Sequence, residues 1–263
     1  MDSMDRILRV DTPITRLLFE PDDVAECVNE LLYGEEVEVI NDNGFWGLVK
    51  SLHDGYEGFA MLNTLRMQPQ KTHKVFVPAT HIYDVPNFKF SPRQTLYFGS
   101  PIHVEAEQRN GFIRLLKGGW VYESHLVPLD HFHADHLETA MLFMNAPYLW
   151  GGRSVAGIDC SGLVQLALMA SGYENCPRDS KDQAEQIGEI VDAPQPQRGD
   201  FVFFDGHVGI MYDNINILNA TSRHMRCVIE PLQNLISAYG NIKVIRRVPM
   251  VLEQQMKDPV SAP

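Results

Sequence analysis

The sequence has no continuous apolar run approaching the roughly 18 residues that a membrane-spanning helix requires. It is also short of basic residues, with 22 Lys and Arg against 34 Asp and Glu, a net charge of −12. That balance argues against nucleic acid or an anionic membrane as a partner, since both favour a basic surface. The four cysteines, Cys27, Cys160, Cys176 and Cys227, show no CxxC spacing. So sparse a set is not the disulfide framework of a small secreted chain. The stretch from Met1 to Arg6 carries acids and lacks the apolar core of a signal peptide, which makes cytoplasm the expected location.

What the chain does have is enough apolar material for ordinary cores, at 44% hydrophobic residues over 263 positions. At roughly 100–200 residues per domain this length allows two or three domains. Residues 1–70 read as short strands between turns. Arg6–Val10, Glu36–Ile40, Phe45–Leu52 and Tyr56–Ala60 are separated by Asn41-Asp42-Asn43-Gly44 and His53-Asp54-Gly55. Such a density of short strands predicts a small β-barrel.

Residues 71–131 repeat the pattern, with strands predicted at Lys74–Pro78, Ile82–Val85, Ser100–Glu105, Phe112–Leu116 and Gly119–Tyr122. The two stretches end alike: a glycine turn, an aromatic strand, then a short apolar loop closing on Leu65 or Leu126. We read them as two copies of one barrel module. The histidines that follow, His131, His133 and His136, read as a linker and helix start rather than a metal site, since no regularly spaced Cys or His completes a zinc set.

From residue 132 the pattern changes. Asp135–Met144 has helical spacing with an acidic start. A second helix is predicted from Cys160 through Leu163, Val164, Leu166, Ala167 and Ala170, and a more polar one over Arg178–Ile190. Strands are then predicted at Phe201–Phe204, His207–Tyr212, Ile215–Ala220, Cys227–Ile229 and Ile242–Arg247, and the last dozen residues read as a tail. Helices followed by a meander make an α+β domain over 132–263.

Cys160 thus falls at the first turn of an apolar helix, where free N–H groups and the helix dipole favour a thiolate. The stretch alone leaves two readings open, a catalytic nucleophile or an inert buried thiol. A nucleophile needs a base, and the base needs an orienting group. A hairpin centred near Asp213 would set Asn219 opposite His207 on one face. The asparagine carbonyl could then accept one ring N–H and leave the other nitrogen for the thiol. His224 is the alternative orienting residue, in the loop-like run Ser222–Arg226.

Four co-linear motifs now stand out: Pro147-Tyr148-Leu149-Trp150-Gly151-Gly152, Asp159-Cys160-Ser161-Gly162-Leu163-Val164-Gln165, Arg198-Gly199-Asp200-Phe201-Val202-Phe203-Phe204 and His207-Val208-Gly209-Ile210. Together they resemble the NlpC-type papain-like cysteine peptidases over residues 135–225. The two β-modules resemble the bacterial SH3-like domains that often precede that catalytic domain. The combination is similar to γ-D-glutamyl-L-diamino-acid endopeptidases that process murein peptides with a free N-terminal L-Ala.

The resemblance implies Cys160 as nucleophile and His207 as base. The third polar position falls on Asn219, where many members of the family have His. It further implies Tyr148 and the Cys160 N–H at the oxyanion. Asp159, Ser161, Glu20 and Tyr56 would lie around the substrate amine, and Arg178 and Ser180 against the D-Glu carboxylate. No cofactor is implied. The partner would be a murein-derived peptide, and the sequence leaves the oligomeric state open. Amidase or acyl-transfer chemistry on the same fold, and a non-catalytic murein-binding role, remain alternatives.

Overall fold

Alternation of apolar side chains organises the first half of the chain, and the computed structural model describes residues 7–192 and 195–249. Met1–Arg6 and the expected tail lie outside the described residues. The chain forms two compact units, one of residues up to 131 together with 153–155, the other of residues 132–152 and 156 onward.

The first unit begins with β1 (Ile7–Val10), β2 (Ile14–Leu18), β3 (Cys27–Leu32), β4 (Glu36–Asp42), β5 (Trp46–Ser51), β6 (Glu57–Met61) and β7 (Leu65–Arg66). These make one sheet in the order β3-β2-β6-β5-β4-β1-β7. Every second residue points inward, and Val10, Leu17, Leu31, Val37, Val49, Ala60 and Leu65 form its core.

Eight strands follow: β8 (His73–Val75), β9 (Ala79–Ile82), β10 (Gln94–Tyr97), β11 (Pro101–Ile102), β12 (Val104–Arg109), β13 (Phe112–Leu115), β14 (Trp120–Tyr122) and β15 (Leu126–Pro128). They surround a separate core of Val75, Ile82, Leu96, Ile102, Leu115 and Val121, which Tyr33 also joins. The hairpin β12–β13 turns at Asn110 and Gly111, whose φ values of 55° and 78° are what a two-residue turn of this hand demands. β10 has no counterpart among the predicted strands, and the expected Ile82–Val85 strand is displaced to β9.

The similar endings of the two stretches are similar in space. Each runs strand, one 3₁₀ turn (Leu62–Thr64 or Glu123–His125), then a short strand starting at Leu65 or Leu126. The residues entering the turns, Met61 at φ −69° and ψ 121° and Tyr122 at φ −64° and ψ 120°, have the same backbone conformation. Further along the chain, β16 (Arg153–Ser154) also belongs to this unit and lies against β3.

The second unit contains α1 (His136–Met141), β17 (Gly157–Ile158), α2 (Cys160–Ala170), α3 (Ser180–Gln186), β18 (Glu189–Ile190), β19 (Phe201–Phe204), β20 (His207–Met211), β21 (Asn216–Thr221), β22 (Arg226–Pro231), α4 (Leu232–Tyr239) and β23 (Val244–Arg247). Its sheet runs β18-β23-β19-β20-β21-β22, antiparallel at every pairing. All four β19 side chains are buried, so both faces of the sheet are covered. Val202 and Phe204 pack with Leu235 of α4, while Phe201 stacks on His136 of α1.

Two expectations change here. The stretch predicted as helical to Ile190 stops at Gln186, and its end becomes β18. Leu232, Leu235, Ile236 and Tyr239 recur at helical spacing and form α4, a helix not among those expected.

Candidate active site

The nucleophile candidate owes its place to the residue before it. Asp159 is the N-cap of α2: its Oδ1 accepts the Gly162 N–H at 2.7 Å, and its Oδ2 accepts the Gly151 N–H at 2.8 Å. One carboxylate thereby fastens both the turn before the helix and the first turn of the helix. Cys160 follows as the first helical residue, 6% exposed.

The dipole and local amides do not prevail at this thiol. Burial pushes Cys160 up to about 12, and the Asp159 carboxylate adds to the rise. Hydrogen bonds from the Val208 and Ser161 backbone, and the charge of Arg178, pull the other way and lose. The resting group is therefore a thiol rather than the thiolate that a helix start alone predicts. Tyr148, twelve residues earlier, is joined to Ile158 by a parallel bridge. Burial, then the nearby Cys160 and Asp159, raise its hydroxyl pKa.

α2 packs on β20 and β21, which carry the other two members. His207 is 4% exposed and Asn219 fully buried, and Nε2 of the ring donates to the Asn219 Oδ1 at 3.0 Å. Directly opposed pairing of these residues is not what occurs. The turn is longer than two residues, because Asp213 Oδ1 accepts the N–H groups of Ile215 and Asn216. This sets Ile210 against Leu218 and Met211 against Ile217, so Asn219 is a diagonal neighbour of His207. The slip is an even number of residues, which keeps both side chains on one face.

Burial lowers His207 to about 4, only partly offset by the Asn219 hydrogen bond. The ring is thus a neutral imidazole at ordinary pH. Tyr239 of α4 lies flat on it, with centroids 4.3 Å apart and planes 14° from parallel. Tyr239 was absent from the sequence-predicted set, although the helical spacing of α4 marks where it falls. His224 is directed elsewhere, its Nε2 lying 3.5 Å from Glu230 Oε2.

The substrate-facing candidates separate into two groups. Arg178 is 2% exposed and turned onto Asp159, with N–H groups donating to Oδ1 at 3.0 Å and Oδ2 at 2.6 Å, and to the Ser161 Oγ at 2.8 Å. Ser161 in turn donates to Asp159 Oδ1 at 3.3 Å. Asp159, Ser161 and Arg178 therefore already hold one another. Ser180 opens α3 and is partly exposed.

Glu20 and Tyr56 belong to the first unit. Glu20 is exposed in a bend, while Tyr56 packs against the first core and its N–H donates to Asp54 Oδ1 at 3.0 Å. The three linker histidines each have their own contact: His131 with the Phe76 ring, His133 with Thr139 Oγ1 and His136 with the Gly199 carbonyl.

Residues 145–246 match the NlpC/P60 family. The chain is 29% identical over 222 residues to dipeptidyl-peptidase 6 of Lysinibacillus sphaericus, covering 75% of this chain and 81% of that protein. It is 32% identical over 192 residues to a gamma-D-glutamyl-L-lysine dipeptidyl-peptidase of Bacillus subtilis, covering 66% of this chain and 63% of the relative. A crystal structure of an NlpC/P60 family protein from Bacillus cereus superposes with a TM-score of 0.78, 20% identity and coverage of 92% and 99%. Fold and relatives together define a cysteine peptidase of papain-like α+β layout. Within that class, the second unit carries an NlpC/P60 domain, which spans residues 145–246.

Proposed function

We propose that this cysteine peptidase hydrolyses the bond between γ-D-Glu and a diamino acid in murein peptides that begin with a free L-Ala. The observation that carries the catalytic assignment is the 3.0 Å bond between His207 Nε2 and Asn219 Oδ1. It commits one ring nitrogen as donor and leaves Nδ1 with a lone pair to act as base. The substrate reading rests on the names of the relatives from Bacillus subtilis and Bacillus cereus, both gamma-D-glutamyl-L-lysine dipeptidyl-peptidases. The chain spans 63% and 59% of their lengths.

In this reading His207 Nδ1 takes the Cys160 proton as the sulfur attacks the γ-carbonyl carbon. The resting thiol and imidazole are both neutral, so charge separates only as the new bond forms. The oxyanion is met by the Cys160 N–H, which at a first helical position has no partner within the helix, and by the Tyr148 hydroxyl. The imidazolium then protonates the leaving amine, and water, deprotonated by His207, hydrolyses the thioester.

Glu20 and Tyr56 are proposed for the substrate ammonium. Asp159, Ser161, Arg178 and Ser180 are proposed for the amine and D-Glu carboxylate, the first three acting as a preassembled group. We also propose that 1–70 and 71–131 are SH3-like modules, supported by their separate cores and matching strand–3₁₀–strand endings. A cytoplasmic role in murein peptide recycling agrees with the absence of disulfides among the four cysteines.

The test is incubation with L-Ala-γ-D-Glu-L-Lys and its diaminopimelate analogue, with products analysed by mass. Release of L-Ala-D-Glu is expected from the native chain and none from Cys160→Ala; undiminished release by the variant would refute the assignment. N-acetylation of the substrate should sharply slow turnover if the free amine is recognised.

A further inference from the structure

Asparagine is an ambiguous partner for a catalytic histidine. Its amide can present either a carbonyl, which accepts, or an NH2, which donates, and the two ends have nearly the same shape. Which end faces His207 decides which ring nitrogen carries the proton. A flipped amide would donate to Nε2 and move the proton to Nδ1, the nitrogen the thiol needs bare.

The structure contains a group that settles this choice. The far end of Asn219 donates from Nδ2 to Glu230 Oε1 at 3.4 Å. Glu230 is 7% exposed and lies on β22, diagonal to Asn219 across the β21–β22 ladder. It is itself held. Arg223 donates to Oε1 at 3.1 Å and to Oε2 at 3.2 Å, and Asn234 of α4 donates to Oε2 at 3.2 Å. Burial alone would raise the pKa of this carboxyl, but these hydrogen bonds outweigh it and keep the group ionised. An ionised carboxylate only accepts, so it admits only the NH2 end of Asn219. α4 contributes twice, since its last residue Tyr239 stacks on the His207 ring and is pinned by its hydroxyl to Thr221 Oγ1 at 3.1 Å.

We propose that Glu230 is a positioning residue: by fixing the amide orientation of Asn219, it fixes the His207 tautomer that leaves Nδ1 free for Cys160. No contact between Glu230 and substrate is involved. The inference rests on the catalytic reading above and adds a fourth member to it. It also accounts for asparagine at position 219 serving in place of an unambiguous acceptor.

The experiment compares Glu230→Leu, Glu230→Gln and Asn219→Ala with the double variant Asn219→Ala/Glu230→Leu. Leucine removes the acceptor at similar volume, whereas the glutamine carbonyl can still accept from Nδ2. Glu230→Leu should lose on the order of 10–100-fold in kcat with KM nearly unchanged, the range typical when an outer orienting partner is removed. Glu230→Gln should recover most of that loss. In the Asn219→Ala background, adding Glu230→Leu should cost less than about twofold, because the path it acts through is gone.

Ring ¹⁵N shifts of His207 give a readout independent of turnover. The native chain should show Nε2 protonated and Nδ1 bare, and Glu230→Leu a mixture. Unchanged shifts in Glu230→Leu, an equal loss in Glu230→Gln, or an undiminished effect of Glu230→Leu without Asn219 would each overturn the proposal. Activity surviving in Cys160→Ala would instead defeat the catalytic reading, while the tautomer measurement would still test the Glu230–Asn219 link.

Discussion

Among the described residues two arginines are buried, one in each unit, and they bind carboxylates in the same way to different ends. Arg153 has a fully buried side chain and grips both oxygens of Glu35, at 2.9 and 3.1 Å, and the Glu30 carbonyl at 2.9 Å. Arg178 grips both oxygens of Asp159, at 2.6 and 3.0 Å. What separates them is the carboxylate's other work. Glu35 also accepts the Leu32 N–H at 2.8 Å, closing the turn after β3. Asp159 also caps α2, whose first residue is Cys160. The same fork-to-carboxylate bond braces a turn in one unit and the proposed nucleophile in the other. A buried ion pair is thus informative about function only through what its members touch next.

The largest effect should come from Asp159→Ala. It leaves the Arg178 guanidinium buried without its counter-charge, a loss of about 3–5 kcal/mol. It also removes the N-cap of α2, about 1 kcal/mol more. Thermal unfolding should show the loss, and turnover measured well below the melting temperature should fall as well. Asn at this position can still cap the helix, so Asp159→Asn should be the milder variant. If the alanine variant melted with the native chain, the pairing would not be the brace described.

Arg153→Met comes next and should break the parallel. It strands Glu35, which is 9% exposed, at roughly 3 kcal/mol. The cost should appear in the melt alone, with kcat at saturating substrate within about threefold of native. A collapse of kcat in the folded variant would mean that both arginines serve the chemistry.

Acid provides a third separation. The proposed base, His207, must be neutral to act, and it is neutral above its folded pKa, which burial has lowered to about 4. kcat/KM should therefore stay level as pH falls through the ordinary histidine range near 6.5, then drop with unit slope below about pH 4. A limb centred near 6.5 would show the ring to be hydrated rather than buried.

How far the sequence foretold this follows from the range of each signal. Cys160 at a helix start was legible because Asp159, the apolar spacing of α2 and Gly172 are all local. His207 and Asn219 on one face are legible because strand alternation survives a register slip of two residues. The missed turn residue lay in the side chain of Asp213, whose bonds to Ile215 and Asn216 lengthen the loop. α4 carries its own periodicity over only about two turns, short enough to be hidden between two strands, and Tyr239 is hidden with it. Glu230 was beyond reach, since nothing local tells a strand carboxylate at the surface from one aimed at an amide. The inward turn of Arg178, nineteen residues from Asp159, and the placement of residues 153–155 in the first unit are tertiary facts with no local pattern.

The smallest expected effect decides the most about Arg178 and its neighbours. Ser161 Oγ accepts from Arg178 at 2.8 Å and donates to Asp159 at 3.3 Å. Removing it in Ser161→Ala leaves the pair intact but two hydrogen bonds short, a loss of about 2 kcal/mol because each bond has a charged partner. If Ser161 only completes the brace, the melting temperature falls by a few degrees and KM for L-Ala-γ-D-Glu-L-Lys is unchanged. If the hydroxyl also receives the substrate amine, KM rises severalfold, and the rise vanishes when the comparison is made with N-acetylated peptide at whatever residual rate it shows. A rise in KM would make Asp159-Cys160-Ser161 a unit that recognises and attacks the same substrate. An unchanged KM with a lowered melting temperature would confine recognition to other residues and leave this triplet to hold the thiol still.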